Sequence, residues 1–153
     1  MIDDAKLALQ GLRLLQIGVI LLLLTSLWGF VVPAMASPPM GLAAHRLCSL
    51  LAPLFLAFGL LWPKLSLQRP AALTAFALHI YSSAAIIAAY VLAALWGAGA
   101  ETMSQAAAGY HGTAQQEMVI RMAAFSSAPT GIVAFTLILW GLRRADDQRR
   151  PPG

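Results

Sequence analysis

Four long apolar stretches alternate with short polar ones along the chain. Leu12 to Val32 is interrupted early by Arg13 and Gln16 alone, and Gly41 to Lys64 carries no charge between Arg46 and Lys64. Ala71 to Trp96 has none at all, and Met118 to Leu142 has only Arg121, near its start. An α-helix rises ~1.5 Å per residue, so about 20 such residues cross a bilayer core. The pattern predicts an all-α integral membrane protein, one domain over residues 1–153, with spans at about 12–33, 41–64, 71–97 and 118–142.

Proline and polar residues punctuate the runs. Pro33, Pro38 and Pro39 end the first helix, because proline lacks the backbone donor that a continuing helix needs. Ala34-Met35-Ala36 has the small-residue pattern of a signal-peptidase site, but the long apolar run and the acidic Asp3 and Asp4 favour a retained first span. Lys64 to Pro70 is a short cationic loop. Gly97 to Glu117 is the longest connection, without Lys or Arg but with Tyr110, His111 and two glutamates, and such a loop is expected to be a lid or a mobile segment. Pro129 predicts a kink in the fourth span, with Ser126, Ser127 and Thr130 available to the backbone groups it frees. The charged tail 143–153 is predicted to be disordered.

Composition and charge narrow the function. With 59% hydrophobic and 10% charged residues, a soluble domain is excluded as the class. The net charge of +4 reflects arginines crowded at the C-terminus, Arg143, Arg144, Arg149 and Arg150, which flank a span and suit anionic headgroups rather than nucleic acid. One cysteine, Cys48, excludes an internal disulfide and offers no zinc spacing. Lys6, Arg13, Lys64, Arg69 and the C-terminal arginines fall on one side, which by the positive-inside bias puts both termini in the cytoplasm. Trp28 and Trp96 close spans one and three and Trp62 and Trp140 close spans two and four, two for each aromatic belt. The LWG at 27–29 and again at 95–97 hints at two similar helical hairpins.

Candidate chemistry gathers on spans two and three. His45 stands at the mouth of a charge-free span, where an ionisable side chain is a functional candidate; the plainer alternative is a histidine at headgroup depth bonded to water or a carbonyl. Cys48, Ser49 and Ala52 share its helical face and predict a small, weakly polar stripe with room for a bulky group. On span three, His79, Ser82, Ser83, Ile86 and Tyr90 share one face, so that face is expected to meet protein, while Ala-rich sides suit close packing. Tyr90 is either a catalytic hydroxyl or a buried one satisfied by a carbonyl.

The runs GLAAH before span two, GLLWP at its end, LWGAGA after span three, GYHGTAQQE before span four and LWGLR at its end together resemble the bacterial hydroxylaminobenzene mutases. A more distant likeness extends to styrene oxide isomerases, and the resemblance covers roughly residues 12–144. It implies an antiparallel four-helix bundle in the bacterial inner membrane, assembled as a homotrimer in the isomerase branch, with haem b at the subunit boundary. It places the haem-iron ligand at His45, with Arg46 beside it for a propionate or a lipid phosphate, and the catalytic tyrosine at Tyr90. His79 and His111 are the rival ligands. The family pattern also has an Asn six residues after the haem histidine and often another on span three; here these are Leu51 and Ile86, and the chain has no Asn anywhere. Cys48, Ser82 and Ser83 are the substitutes that chemistry allows.

A ferric haem with one open axial position is a Lewis acid toward an oxygen. The resemblance therefore implies isomerisation, without net redox change, of a small apolar aromatic substrate such as an N-aryl hydroxylamine or an aryl epoxide. The rival classes are a non-catalytic haem-binding electron-transfer or sensory subunit and a small transporter using His79 and Tyr90 as its polar path.

Overall fold

The computed structural model describes residues 4–147. Helix α1 spans Asp4–Val31, α2 Pro38–Leu61, α3 Arg69–Trp96, the single turn α4 Ser104–Ala107, and α5 Ala114–Asp147. Short 3₁₀ turns at Val32–Ala34 and Trp62–Lys64 follow α1 and α2. Four of these helices are long and apolar enough to cross a membrane, as expected. The fourth is longer than the apolar pattern indicated. It begins at Ala114, four residues before Met118, and continues through Arg143 and Arg144 to Asp147. That part of the tail is helical where disorder was expected; residues 148–153 lie outside the described residues.

The helices form two tight antiparallel hairpins, α1 with α2 and α3 with α5, joined by packing of α2 on α3. The LWG repeat thus falls at the same point of each hairpin, the C-terminal end of its first helix. In the first hairpin, Leu7, Leu14 and Leu21 are buried at seven-residue spacing, with Gly11 and Gly18 beside them. A Cβ on Gly11 would lie 2.7 Å from the Gly59 carbonyl oxygen, so the two backbones touch where both residues are glycine. In the second hairpin, Ser82 donates to the Ser127 carbonyl at 2.8 Å and Tyr81 to the Ser126 hydroxyl at 3.0 Å. Between hairpins, the His79 ring packs tilted on Phe55 and edge to face with Phe58, and the Ser37 amide donates to the Ala94 carbonyl at 2.9 Å.

The helix faces bear on three expectations. Ala72, Ala75, Ala89, Ala93 and Ala94 of α3 are buried within the chain in the close packing expected, while Ala77, Ala84 and Ala88 are exposed. Trp62 is not a belt residue. The Trp62 indole is fully buried and donates to Gln10 Oε1 at 2.9 Å, and the Trp28 indole donates to the Gly41 carbonyl at 3.0 Å. Trp96 and Trp140 are exposed as a belt requires. Around Pro129, Ser126, Ser127 and Thr130 bond carbonyls of their own helix, those of Ala123, Ala124, Ser126 and Ser127, so their hydroxyls are spent on the backbone.

Candidate active site

The registers of the helices decide which polar residues meet. Because α2 and α3 run antiparallel with Phe55 and Phe58 against His79 and Ser37 against Ala94, the start of α2 lies beside the end of α3. His45 and Tyr90 therefore stand at a similar depth. Consecutive helical residues differ by about 100° in direction, however, and His45 and Arg46 face different partners.

His45 turns toward α1. A Cβ on Gly29 would lie 3.7 Å from its Cε1 and 4.0 Å from its Nδ1, and Nδ1 is buried with no hydrogen-bond partner. Thr25, one turn before Gly29 on α1, likewise has a buried hydroxyl without a partner. The stripe below His45 leaves less room than its small residues suggested. Ala52 is fully buried, with its carbonyl 3.1 Å from where a Cβ on Gly18 of α1 would lie, and the Ser49 hydroxyl donates to the His45 carbonyl at 2.9 Å. Ala52 thus serves the crossing of α1, while Ser49 is exposed.

Arg46 turns the other way, toward α3. It borders a pocket of about 460 Å³ with Leu42, Leu47 and Leu50 of α2, Tyr90 of α3 and Gln105 of α4. A second pocket of about 350 Å³ adjoins it, sharing Tyr90 and Gln105 and adding Thr102 and Ser104. The Tyr90 hydroxyl and the Arg46 guanidinium have no hydrogen-bond or ion-pair partner among the described residues, so both are free for a ligand. The pocket combines one apolar wall, one phenol and one cation, a pattern suited to a small aromatic molecule carrying a polar head.

His79 is elsewhere. It is 1% exposed, with ring centroids of Phe55 at 4.6 Å, Phe58 at 4.9 Å and Phe135 at 5.8 Å, and its buried Nε2 has no partner. Walled in by phenylalanines, it is a poor member of a polar path. His111 is exposed on the loop before α5. Of the positions where the family pattern has Asn, Leu51 packs partly buried against the core and Ile86 is half-buried. Ser83 is buried, and the Ser82 hydroxyl is committed to α5.

Two residues of the site's surroundings escaped sequence reasoning. Glu117 is buried and accepts backbone amides from the long loop, and Gln105 stands on that loop against Tyr90. The available signal was the run Thr113-Ala-Gln-Gln-Glu117. Thr113 and Gln116 form a reciprocal capping box, with the Thr113 amide donating to Gln116 Oε1 at 2.8 Å and the Gln116 amide to Thr113 Oγ1 at 3.3 Å. An acid directly after that box, beside a loop with no Lys or Arg, finds its partners in backbone amides of the loop.

An all-α chain with four membrane-length helices and a pocket between α2, α3 and the α3–α5 loop belongs to the class of multi-pass membrane proteins. Comparison with known proteins makes this specific. The family model described as styrene oxide isomerase matches residues 10–143. Hydroxylaminobenzene mutase HabB of Ectopseudomonas oleovorans is 44% identical over 137 residues, which cover 90% of this chain and 84% of that protein. Hydroxylaminobenzene mutase HabA of the same organism is 38% identical over 127 residues, 83% of this chain and 94% of that protein. No solved structure matches the chain. The chain belongs to the styrene oxide isomerase family.

Proposed function

We propose that this protein is a membrane isomerase that rearranges a small aromatic substrate in the pocket at Tyr90, and that the substrate is an N-aryl hydroxylamine in preference to an aryl epoxide. The observation that carries the reading is the pocket itself: an unpaired phenol opposite a leucine wall, in a chain similar to two hydroxylaminobenzene mutases. Leu42, Leu47 and Leu50 hold the aromatic ring out of water. Excluding water matters, because N–O cleavage leaves an electron-poor ring that bulk water would capture. Tyr90 donates its hydroxyl proton in a hydrogen bond to the departing oxygen. The reaction breaks N–O and one ring C–H bond and forms ring C–O and N–H, so it needs no external oxidant or reductant.

Haem b is part of the proposal. His45 offers an imidazole with no hydrogen bond to the described residues, and Arg46, the next residue, an unpaired exposed guanidinium. The donor set fits: a neutral imidazole for iron and a cation for a propionate. When bound, haem supplies a Lewis-acidic iron. Because His45 and the Tyr90 pocket lie on different faces of α2, a second copy of the chain is needed to join them, and a homotrimer with both termini cytoplasmic is the assembly proposed.

The test is purified protein in lipid discs, given hydroxylaminobenzene and styrene oxide separately, with products separated and weighed. The expected result is a product of hydroxylaminobenzene with unchanged mass, together with a Soret band that His45→Ala removes and His79→Ala and His111→Ala keep. No conversion of either compound overturns the isomerase reading, and a Soret band surviving His45→Ala overturns the ligand assignment.

A further inference from the structure

The connection between α3 and α5 is a strap with a fixed base and a short helical tip, α4, that packs on α2. Its base is Glu117, 2% exposed, in the first turns of α5. Oε1 accepts the Gly99 amide at 2.8 Å and the Gly112 amide at 3.0 Å, and Oε2 accepts the Glu101 amide at 3.3 Å. One carboxylate thus closes both ends of the strap. Hydrogen bonds to a charged acceptor are roughly twice as strong as neutral ones, and the one from Gly99 is buried. The Arg121–Glu101 ion pair adds a tie on the outside. Gly112 leaves no room for a side chain, because a Cβ there would lie 2.5 Å from Ala98 Cβ. Beyond the base, the chain turns through positive φ at Gly97 and Gly99 on one side, and at Ala108 and Gly109 on the other. Between these corners, Thr102 to Ala107 passes over Tyr90.

Gln105 stands at the tip and borders both pockets. Gln105 is exposed, and its carboxamide has no protein partner among the described residues, whereas Gln10 accepts from Trp62 and Gln116 from Thr113. The Thr102 hydroxyl, on the smaller pocket, is buried and unpartnered. The α2 side of the pocket offers leucines and the Arg46 cation, and the strap side offers Gln105 and Thr102. A ring lying against the leucines can direct its oxygen substituent toward the amide.

We propose that Gln105 donates a hydrogen bond to the substrate's oxygen, and that Glu117 is the positioning residue that sets Gln105 there. The inference rests on the Tyr90 pocket being the substrate site. It names the feature selected: an oxygen one atom removed from an aromatic ring. A hydrogen bond to that oxygen favours a ligand that carries it over an analogue that lacks it. A neutral amide also suits an oxygen that gains negative charge as its bond to nitrogen breaks.

Benzyl alcohol, an unreactive isostere of hydroxylaminobenzene, and toluene, which lacks the oxygen, test this without turnover. Their affinities are measured by ligand-observed NMR on protein in lipid discs, with empty discs as the blank. Gln105→Ala is expected to weaken benzyl alcohol about tenfold, the scale of one hydrogen bond, and to leave toluene unchanged. Glu117→Gln is expected to do the same, and the double variant to be no worse than either single one, because the two act as one unit. Gln105→Asn is expected to recover part of the loss. Amide exchange reports folding: in Glu117→Gln it should rise at Gly99, Glu101 and Gly112 and stay as in wild type along α1 to α3. Equal weakening of both compounds, no effect of Gln105→Ala, or additive losses in the double variant overturn the proposal. If these affinities behave as expected while hydroxylaminobenzene is not converted, the reaction assignment falls and the oxygen contact stands.

Discussion

Glycine-to-alanine changes along α1 should have opposite signs at its two ends. At Gly11 the new methyl would lie 2.7 Å from the Gly59 carbonyl oxygen and 3.3 Å from both Trp62 Cβ and Pro63 Cδ. None of these is the tip of a flexible side chain, so the helices must part by about 0.5–1 Å, which forfeits a quarter to a half of each contact along the seam. Overpacking of this kind costs about 1–3 kcal/mol, against which alanine recovers up to about 1 kcal/mol of helix propensity. The net expectation for Gly11→Ala is a loss of about 1–2 kcal/mol. At Gly29 the nearest atoms are His45 Cε1 at 3.7 Å and Nδ1 at 4.0 Å, ordinary contact distances, so the propensity gain stands alone. Gly29→Ala is expected to be neutral or stabilising by up to about 1 kcal/mol. Reversible unfolding in mixed micelles, followed by tryptophan fluorescence, measures both. If Gly11→Ala were as stable as Gly29→Ala, the close crossing of α1 and α2 that orients His45 would be wrong.

His79→Leu should be neutral or stabilising in the same assay, since it removes a buried unpartnered nitrogen from a phenylalanine cage, whereas His79→Asp should cost more than about 3 kcal/mol by burying an unpaired charge. Reporters fused at the C-terminus and inserted between Ala106 and Ala107 should fall on opposite sides of the membrane, the first in the cytoplasm; both on one side contradicts the four-span topology. Native mass spectrometry from lipid discs should show a trimer, and a haem-bearing monomer would contradict a shared pocket.

Length and hydropathy made the spans legible, because crossing a bilayer is a requirement on composition that any sequence must display. Orientation about each helix axis was not legible. Helix α2 is apolar on most sides, so nothing in its pattern said that His45 meets Gly29 while Arg46 borders the pocket at Tyr90. The alanines of α3 carried the same ambiguity, since small residues suit an internal crossing and a subunit contact equally. Trp28 and Trp62 looked interfacial by position and proved to be internal donors, because an indole N–H near a helix end can bond a neighbouring chain segment as well as a headgroup. Glu117 was hidden for a different reason. Its partners are backbone amides of Gly99, Glu101 and Gly112, and backbone groups leave no mark in a sequence. The family resemblance rested on ordered short motifs, and one of them, GYHGTAQQE, now has a physical content: it caps α5 and ties the strap above Tyr90.

Isomerisation is proposed to occur at Tyr90, in the pocket between α2, α3 and the strap. It is tested by kcat/KM for hydroxylaminobenzene, with product mass recorded, in wild type and in Tyr90→Phe of equal unfolding stability. Wild type is expected to give a product of unchanged mass, and Tyr90→Phe to lose about 100-fold or more, the scale of removing one donor to a developing charge. An unchanged kcat/KM in that variant would contradict it.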